Sequence, residues 1–483
     1  MRFLLLLLLQ SSVRPYKNSI SSETVGPRSL VCVLVCFHSR RHSGNPSTTL
    51  MLQSRNTRKT PTEPRPLPPQ PTMSTINIAI IGYGFSAKIF HIPFIEHNRD
   101  LTLHTIIQRN PTATNDAAAD HPGVRVFRST EEFYADAGAS AAVRVVVVTT
   151  DHASHHFYCR EAVEQGKDVV VEKPFTTRSE DAIELVQLGV QRGVSIFVYQ
   201  SNFLPLLLPS FSVLSGDGFP DDVLRLDRRF DSDYRSLVRI LESGQLGEVV
   251  SLESHFDRYR PLAQVQRQRS WNAEQVPGNG ILWDLGPHLI DQSLRLFGVP
   301  QRVFGIIRDQ RRASSNPVAV WGEEGFVDDF FEVALFYDGD GTARLPFIVK
   351  LEASSLSCLE KQVRFILRGT KGGWEKYGMD TQEGQLLAGM TPGDEGFGVE
   401  PEGNYGTLAT GDGKLEKTPA EKGNYGIFYT ELVQHLRGQG HIPRGEACVI
   451  KIIELVGESN RSGRIVDVRL PPEIYSTADG LDE

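Results

Sequence analysis

The sequence predicts an α/β protein with two domains, the first built on a parallel sheet and the second on a mostly antiparallel one. Between residues 73 and 200, short apolar runs alternate with helix-like stretches, which is the pattern of a parallel sheet with crossover helices. Between residues 303 and 367, strand-like runs follow one another without a helical pattern, which favours antiparallel pairing. The 483 residues also exceed the length of about 250–300 residues at which a single core stops growing.

The first strand and the turn after it predict a dinucleotide site. Residues 76–81 form a nearly continuous apolar run, as expected for a strand buried on both faces, and a helix-like stretch spans residues 86–96. Gly82 permits a tight turn, Gly84 lets backbone N–H groups approach a pyrophosphate, and Ala87 keeps the helix close to the strand. We predict a Rossmann dinucleotide-binding domain over residues 73–200. Its turn residues are Gly82, Tyr83, Gly84, Phe85, Ser86 and Ala87. An ordinary strand–turn–helix with small residues is the alternative.

The end of the second strand bears on the choice of cofactor. The strand is predicted at residues 101–107, and Gln108, Arg109 and Asn110 follow it. Domains specific for NAD usually place an acidic residue here to bind the ribose 2′-hydroxyl, and none is present. Arg109 can instead pair with a 2′-phosphate through its planar guanidinium. The sequence therefore favours NADP over NAD, unless Arg109 is simply an exposed loop residue.

Two later strands also end in polar residues. The strand predicted at residues 143–148 is followed by Thr149, Thr150 and, at the start of a predicted helix, His155. Strand ends in open α/β sheets face the ligand crevice, so these three residues are predicted to lie near the cofactor. A helix cap would explain the same residues.

The next strand, predicted at residues 168–171, carries Glu172, Lys173 and Pro174 at its carboxyl end. Pro174 biases Lys173 toward an extended backbone, which can fix the direction of the ammonium group. A lysine facing such a crevice can become an acid–base group, because desolvation lowers its proton affinity. We expect all three residues to lie beside the cofactor.

The chain resembles the glucose-fructose oxidoreductase/inositol dehydrogenase/rhizopine-catabolism (Gfo/Idh/MocA) family, and in particular its uncharacterised fungal and bacterial branch. The resemblance rests on residues 79–87, 171–175 and 283–292, and it extends from about Met73 almost to the C-terminus. It implies a Rossmann domain followed by a C-terminal α+β domain with a large, mostly antiparallel open-faced sheet. Residues 278–280 read Gly-Asn-Gly where relatives often carry three glycines.

The resemblance also implies that Lys173, Asp284 and His288 are the catalytic residues. Asp284 and His288 are spaced i, i+4 and would share one helix face, although Pro287 suggests that the helix begins near that position. Either His288 or Lys173 can take the proton of a substrate hydroxyl as the hydride leaves, while Asp284 orients the substrate or tunes the pair. We predict an NAD(P)-dependent dehydrogenase or reductase that acts on a hydroxyl or carbonyl of a small polar substrate, a sugar or polyol.

Two other functions remain open on the sequence alone. One is a dinucleotide-sensing regulatory protein on the same fold, which would not need to retain Lys173, Asp284 and His288. The other is an enzyme of the same fold that acts on a dihydrodiol, a tetrapyrrole or a dicarbonyl compound. The sequence does not separate the substrates, because pocket residues come from loops.

The C-terminal domain is predicted over residues 228–475. Its helices are expected at residues 233–243 and 447–459, the latter near the domain junction, and residues 386–423 read as a long surface excursion. The predicted strands are residues 249–258, 303–308, 329–337, 347–352 and 361–367. Four residues are predicted to line the substrate pocket, namely Tyr199, Arg258, Trp271 and Tyr425.

Two stretches do not fit this organisation. Residues 1–72 begin with a short leucine run and continue with Ser, Arg and Pro, so we interpret them as a disordered or mis-annotated extension, or a mitochondrial presequence. Residues 201–227 interrupt the junction between the domains, and excision at GT and AG borders would restore a continuous Tyr-Gln-Asn-Arg-Arg, so they are a candidate retained intron. Residues 476–483 read as a tail.

Composition limits the function further. The net charge of −8 argues against nucleic acid and anionic membranes as partners, and no segment reaches the roughly 18 apolar residues of a membrane span. Cys159, Cys358 and Cys448 are predicted to be reduced, buried thiols of a cytoplasmic protein, and no His/Cys cluster has metal-ligand spacing. A bare sheet face would be costly, so a homodimer through the C-terminal sheet is expected, with a tetramer as the alternative.

Overall fold

The computed structural model describes most of the two predicted domains. The residues that it describes are 74–199, 230–261, 278–311, 321, 326–339, 345–439, 446–472 and 474. The interpretations of residues 1–72, 201–227 and 476–483, and the role predicted for Trp271, lie outside these residues. The two domains belong to one compact unit, which spans residues 71–483.

The N-terminal domain contains a six-stranded parallel sheet with the strand order β3-β2-β1-β4-β5-β6. The strands β1 to β6 are Ile76–Ile81, Leu101–Ile107, Arg125–Phe127, Val145–Val148, Asp168–Val171 and Ile196–Val198. All four residues of β4 are fully buried, because helices cover both faces of the sheet. This order is that of a Rossmann fold, and it confirms the predicted fold class.

Helices connect these strands, and the first one departs from the prediction. They are α1 Ile92–His97, α2 Ala117–Asp120, α3 Thr130–Ala135, α4 Ala137–Ala142, α5 His155–Glu164 and α6 Ser179–Arg192. The single helix predicted over residues 86–96 is a π-helical turn, Ala87–His91, followed by α1. Pro93 lies at the start of α1 and has no N–H to continue the earlier hydrogen-bond pattern, which accounts for the break at this point.

The C-terminal domain contains a nine-stranded sheet with the order β14-β13-β12-β11-β7-β10-β9-β8-β15. Its pairs are antiparallel except for β7 with β10. The strands β7 to β15 are Val249–His255, Arg302–Arg308, Phe330–Tyr337, Phe347–Ser354, Val363–Gly369, Gly372–Tyr377, Gly406–Thr410, Leu415–Thr418 and Val466–Asp467. The interpretation of residues 386–423 as a surface excursion was wrong for β13 and β14. This hairpin extends the sheet and buries Leu408 beside Trp374.

One face of this sheet is covered by helices, and the described side chains of its other face, called the uncovered face below, are exposed or partly buried along β9 and β10. The helices of the domain are α7 Ser232–Glu242, α8 Ile281–Phe297, α9 Gln382–Leu387, α10 Gly426–Leu436 and α11 Glu446–Ser462. Helix α11 packs on β8, α8 and α6, and so joins the two domains, as predicted. Glu454 of α11 accepts hydrogen bonds from the backbone N–H (2.7 Å) and the hydroxyl (2.8 Å) of Ser179, and thereby caps α6.

The cysteines differ in their environment. Cys159 and Cys448 are buried free thiols, as predicted, and burial raises the pKa of Cys448 to about 12. The prediction for Cys358 was wrong, because this residue follows β10 in a connecting segment and its side chain is exposed. No helix within the described part of the chain is long and apolar enough to cross a membrane.

Candidate active site

The turn after β1 lies at the carboxyl edge of the parallel sheet, where β4 and β5 also end. Gly82 has φ +97°, and a Cβ there would lie 2.7 Å from the carbonyl oxygen of Thr149, so only glycine fits. The Thr149 hydroxyl lies 3.1 Å from the carbonyl oxygen of Ile81 and 3.2 Å from that of Gly82. A Cβ added at Gly84, by contrast, would meet no heavy atom within 4 Å. The turn is therefore packed against Thr149 at Gly82, and it leaves free space beside Gly84.

Glu172 connects this turn to the lysine loop. Its Oε1 accepts hydrogen bonds from the Ser86 hydroxyl and from Nε2 of His91 (3.0 Å), and its Oε2 accepts one from the backbone N–H of Lys173 (3.1 Å). Burial acts to raise the pKa of Glu172, but the hydrogen bond and charge of His91, and the charge of Lys173, lower it to about 2. The ionised carboxylate thus holds the dinucleotide turn and the lysine loop together.

His91 was missed by the sequence reasoning. It lies at the end of the π-helical turn and is fully buried, with its ring 4.2 Å from that of Tyr199. Because its Nε2 faces the carboxylate of Glu172, its Nδ1 is left to the hydroxyl of Tyr429, which lies 2.6 Å away on α10. The sequence did contain a signal for this role. His91 directly precedes Ile92 and Pro93, which offer its ring no hydrogen-bond partner, so a partner from a distant part of the chain could have been expected.

Lys173 and Asp284 form the central ion pair of the site. Nζ of Lys173 lies 2.7 Å from Oδ1 of Asp284 and 2.8 Å from its backbone carbonyl oxygen, and the two side chains are 16% and 14% exposed. Burial opposes ionisation of Asp284, but the charges of Lys173 and Arg258 hold its pKa well below the usual range. The carboxyl end of β5 and the first turn of α8 therefore bring these two predicted catalytic residues into contact.

Helix α8 begins at Ile281, six residues before Pro287, which lies inside it. The expectation that Pro287 marks the helix start was wrong, because Asp328 caps the helix from another segment. Its Oδ2 accepts a hydrogen bond from the backbone N–H of Leu282 (2.7 Å), and its carbonyl oxygen accepts one from Ile281 (3.1 Å). A Cβ at Gly280 would lie 2.1 Å from Oδ1 of Asp328, so glycine is required there.

The Asp328 cap predicts a pH-dependent stability. Burial and the charge of Asp329 raise the pKa of Asp328 to about 7 from 3.8, so the folded state holds this proton more tightly than the unfolded state does. Stability should therefore fall as the pH rises between these two values. Asp328→Asn keeps an acceptor for Leu282 without the charge. We expect it to be more stable than the wild type by about 2–4 kcal/mol at pH 8 and by much less at pH 4.5, as measured by urea unfolding.

The control for this experiment is Asp338→Asn, which neutralises an exposed carboxylate at the end of β9. Its effect on stability should differ little between the two pH values. A difference between Asp328→Asn and the wild type that stays constant from pH 4.5 to pH 8 would contradict a raised pKa for Asp328.

Arg258, Phe256 and His288 form one wall beside the ion pair. The guanidinium of Arg258 lies 4.5 Å from the centre of the Phe256 ring, and this ring stacks on His288 at 6.4 Å. His288 lies one turn after Asp284 on α8 and is buried. This wall therefore places the guanidinium of Arg258 and the imidazole ring of His288 beside the ion pair.

Two histidines support the loops of the site. Burial and the charges of His155 and Lys173 lower the pKa of His152 to about 4, so its neutral ring donates from Nδ1 to the carbonyl oxygen of Gly278 (2.9 Å). His155 is fully buried, and its Nδ1 lies 2.8 Å from the carbonyl oxygen of Pro174. His155 thus supports the lysine loop from inside the protein, and its predicted position near the cofactor stays a prediction. Thr150 accepts a hydrogen bond from the Ser154 hydroxyl (2.8 Å).

The loop after β2 is held by Gln108. Its Oε1 accepts a hydrogen bond from the backbone N–H of Ala117, and its Nε2 donates to the carbonyl oxygen of Asn115, both at 2.8 Å. Gln108 is therefore occupied inside the protein, whereas Arg109 is exposed next to it. The hydroxyl of Tyr83 donates to Asp120 (2.8 Å), which closes the same side of the turn.

Comparison with protein-family models decides the family. The model described as "Oxidoreductase family, NAD-binding Rossmann fold" matches residues 76–200, and the model described as "Oxidoreductase family, C-terminal alpha/beta domain" matches residues 238–468. The chain belongs to the Gfo/Idh/MocA oxidoreductase family. Lys173 lies in the first matched domain, and Asp284 and His288 lie in the second, so the candidate site of this family member is built by both.

Individual relatives agree with this assignment. An uncharacterized oxidoreductase of Schizosaccharomyces pombe is 34% identical over 376 residues, which cover 75% of this chain and 90% of the relative. The scyllo-inositol 2-dehydrogenase (NADP(+)) IolW of Bacillus subtilis is 28% identical over 400 residues, with 82% and 96% covered. The crystal structure of an oxidoreductase from Bacillus cereus has 27% identity and a TM-score of 0.64, with 82% and 99% covered.

Two residues predicted to line the pocket of this oxidoreductase are in its core instead. Tyr425 is 1% exposed, and its hydroxyl donates to Asp231 (2.7 Å) in a buried polar network. Tyr199 is also buried, and its hydroxyl donates to the carbonyl oxygen of Phe90 (2.7 Å). The prediction fails for both residues because the sequence does not show that α10 packs against the Rossmann domain.

Proposed function

We propose that this oxidoreductase is an NADP-dependent dehydrogenase that interconverts a hydroxyl and a carbonyl group of a sugar or polyol. The observation that carries the proposal is the Lys173–Asp284 ion pair, because it holds a lysine ammonium group in the loop that Glu172 joins to the dinucleotide turn. The relative IolW supports the same choice of cofactor and substrate class, since its name specifies NADP(+) and scyllo-inositol.

The residues around the turn fit a dinucleotide. Gly84 leaves open space where a pyrophosphate can approach backbone N–H groups, and Glu172 holds Ser86 and the lysine loop in place. When bound, the cofactor supplies the hydride donor or acceptor. Arg109 is exposed where an acidic residue would bind the 2′-hydroxyl of NAD, and it would hold the 2′-phosphate.

Lys173 provides the proton. In the reductive direction its ammonium group donates a proton from Nζ to the carbonyl oxygen of the substrate, and in the oxidative direction the neutral amine takes the proton back. Asp284 orients Nζ and offsets its charge at 2.7 Å. His288 and Arg258 border the pair and would hydrogen-bond further hydroxyl groups, which suits a substrate that carries several of them.

The test of the function begins with the cofactor. NADPH and NADH are titrated into the full-length protein by fluorescence, and NADP⁺ reduction is then screened with inositols, other polyols and aldoses. Micromolar or tighter NADPH binding together with polyol oxidation would support the proposal. Binding of neither cofactor would contradict it and would favour a non-redox interaction protein. NADPH binding without any turnover would favour a dinucleotide sensor.

Arg109→Ala tests the cofactor preference. We expect the Kd for NADPH to rise about 10–100-fold, because a charge-assisted hydrogen bond to the phosphate contributes roughly 1.5–3 kcal/mol, and the Kd for NADH to stay unchanged. Arg144→Ala serves as the control, because it removes another exposed arginine, which lies at the amino end of β4 and so on the opposite side of the sheet from the dinucleotide turn. An equal loss of affinity for both dinucleotides would argue against recognition of the 2′-phosphate.

We also propose a cytoplasmic homodimer that forms through the uncovered face of the nine-stranded sheet. The strand register puts apolar side chains on this face, among them the exposed Ile348 and the partly buried Phe304, Phe336 and Ile366. These apolar side chains favour burial against a second copy. The two buried free thiols, Cys159 and Cys448, suit the reducing cytoplasm.

Phe336→Glu should convert the dimer to a monomer in sedimentation velocity experiments, because it places a charge among the apolar side chains of this face. Leu415→Glu is the control, since Leu415 is 75% exposed on the edge strand β14. A wild-type protein that sediments as a monomer, or a Phe336→Glu variant that stays dimeric, would contradict this interface.

A further inference from the structure

Three potential metal ligands converge on the uncovered face of the nine-stranded sheet. His255 ends β7, Asp257 follows two residues later, and Glu352 lies on β10 directly beside His255 in the strand register. One ligand atom from each residue lies within 4.8 Å of the other two. All three side chains are partly buried, so they are neither fully solvated nor locked inside the core.

The backbone fixes this arrangement. Successive residues of a strand point to opposite faces, so His255 and Asp257 share the uncovered face while Phe256 points to the helices and His288. Two backbone hydrogen bonds maintain the register beyond β7. The N–H of Phe256 donates to the carbonyl oxygen of Glu352 (2.9 Å), and the N–H of Arg258 donates to that of Ser354 (2.8 Å). The backbone N–H of Ser354 also donates to Oδ1 of Asp257 (2.9 Å), which orients this carboxylate with Oδ2 toward His255.

The electrostatics leave an excess of negative charge here. Glu332 of β9 lies directly opposite Glu352, and like charges at directly opposed positions destabilise a sheet. The nearby Arg368 and Lys350 both contact Glu253, at 2.7 and 3.8 Å.

We propose that His255, Asp257 and Glu352 bind a divalent cation of the zinc or manganese class. One imidazole nitrogen and two carboxylate oxygens suit these ions, and water would complete the coordination. Ligand atoms around a tetrahedral zinc are about 3.3 Å apart, so side-chain rotations must draw the present cluster together by at most about 1.5 Å. The site lies on the opposite face of the sheet from His288, so it does not take part in hydride transfer.

Cobalt(II) is the probe, because its visible d–d absorption reports the ligand set. Full-length protein is treated with a chelator, which is then removed, and the protein is titrated with Co²⁺ in parallel with His255→Ala, Glu352→Gln and Glu375→Gln. Glu375 lies on the same face of the sheet, two strands from β7, so Glu375→Gln is matched to Glu352→Gln in its charge change. The full chain also contains Cys32, Cys36 and His38, so the readout is the difference between variants.

We expect one equivalent of Co²⁺ per chain to be lost from both His255→Ala and Glu352→Gln, with affinity reduced more than about 100-fold, and to be retained by Glu375→Gln. NADPH binding should be the same in all four proteins, which separates a failure of this proposal from a failure of the proposed function and from misfolding. Identical cobalt spectra and stoichiometry in wild type, His255→Ala and Glu352→Gln would overturn the site, as would the absence of cobalt binding to the wild type.

Discussion

Replacing Lys173 by methionine should lower kcat by about 10²–10⁴-fold while the Kd for NADPH changes little. Methionine preserves the length of the side chain but removes the ammonium group that lies 2.7 Å from Asp284. Since the proton is transferred together with the hydride, loss of the ammonium group should slow the chemical step and leave cofactor binding intact. The measurement is steady-state turnover with a substrate found in the polyol and aldose screen, with a fluorescence titration of NADPH in parallel.

Lys371→Met is the matched control, because Lys371 is an exposed lysine between β11 and β12. Its turnover should equal that of the wild type. If Lys173→Met retained more than about a tenth of wild-type kcat, Lys173 would not be the proton donor, and His288→Ala should then be measured as the other candidate.

Two glycine substitutions in the dinucleotide turn should separate stability from binding. Gly82→Ala should destabilise the protein by at least about 2 kcal/mol, because Gly82 has φ +97° and a Cβ would lie 2.7 Å from a backbone oxygen of Thr149. Gly84→Ala should leave the unfolding free energy within about 1 kcal/mol of the wild type, because a Cβ at Gly84 meets no protein atom within 4 Å. Both should weaken NADPH binding by more than about 10-fold, as the pyrophosphate needs a close approach to the backbone.

The two substitutions control each other. Urea unfolding and NADPH titration are measured on both, and only Gly82→Ala should change in the first experiment. Wild-type NADPH affinity in Gly84→Ala would mean that the open space beside Gly84 is not where the dinucleotide lies, and the placement of the cofactor would have to be revised.

Most of the fold could be predicted because its signals are local. The nearly continuous apolar run of β1 gives its bounds, since a strand buried on both faces is apolar along almost its whole length. The hairpin β13–β14 could not be predicted, because only Leu408 among its central residues is deeply buried and the segment is otherwise polar. An edge hairpin of this kind is defined by its pairing partner β12, which lies too far away in the sequence for a local pattern to reveal.

The site could be predicted where a motif lies at the end of an element, as for Lys173 after β5. It could not be predicted where distant residues complete one another. Asp328 caps α8 from a segment more than forty residues away, so Pro287 was a misleading sign of where this helix starts. Tyr429 is 338 residues from His91, and no local pattern connects them.

The contacts of Glu454 and Tyr429 have a consequence for the biosynthesis of the protein. The Rossmann sheet is complete by Val198, yet α6 obtains its cap from Glu454 and His91 obtains its partner from Tyr429. Both come from the last helices, which the ribosome makes more than two hundred residues later. Until the end of the chain emerges from the ribosome, the nascent nucleotide-binding half therefore lacks the hydrogen-bond partners of these polar groups. A ribosome that stops early would release a chain whose first half lacks its closing contacts, and such a fragment would be a natural target for chaperones and proteases.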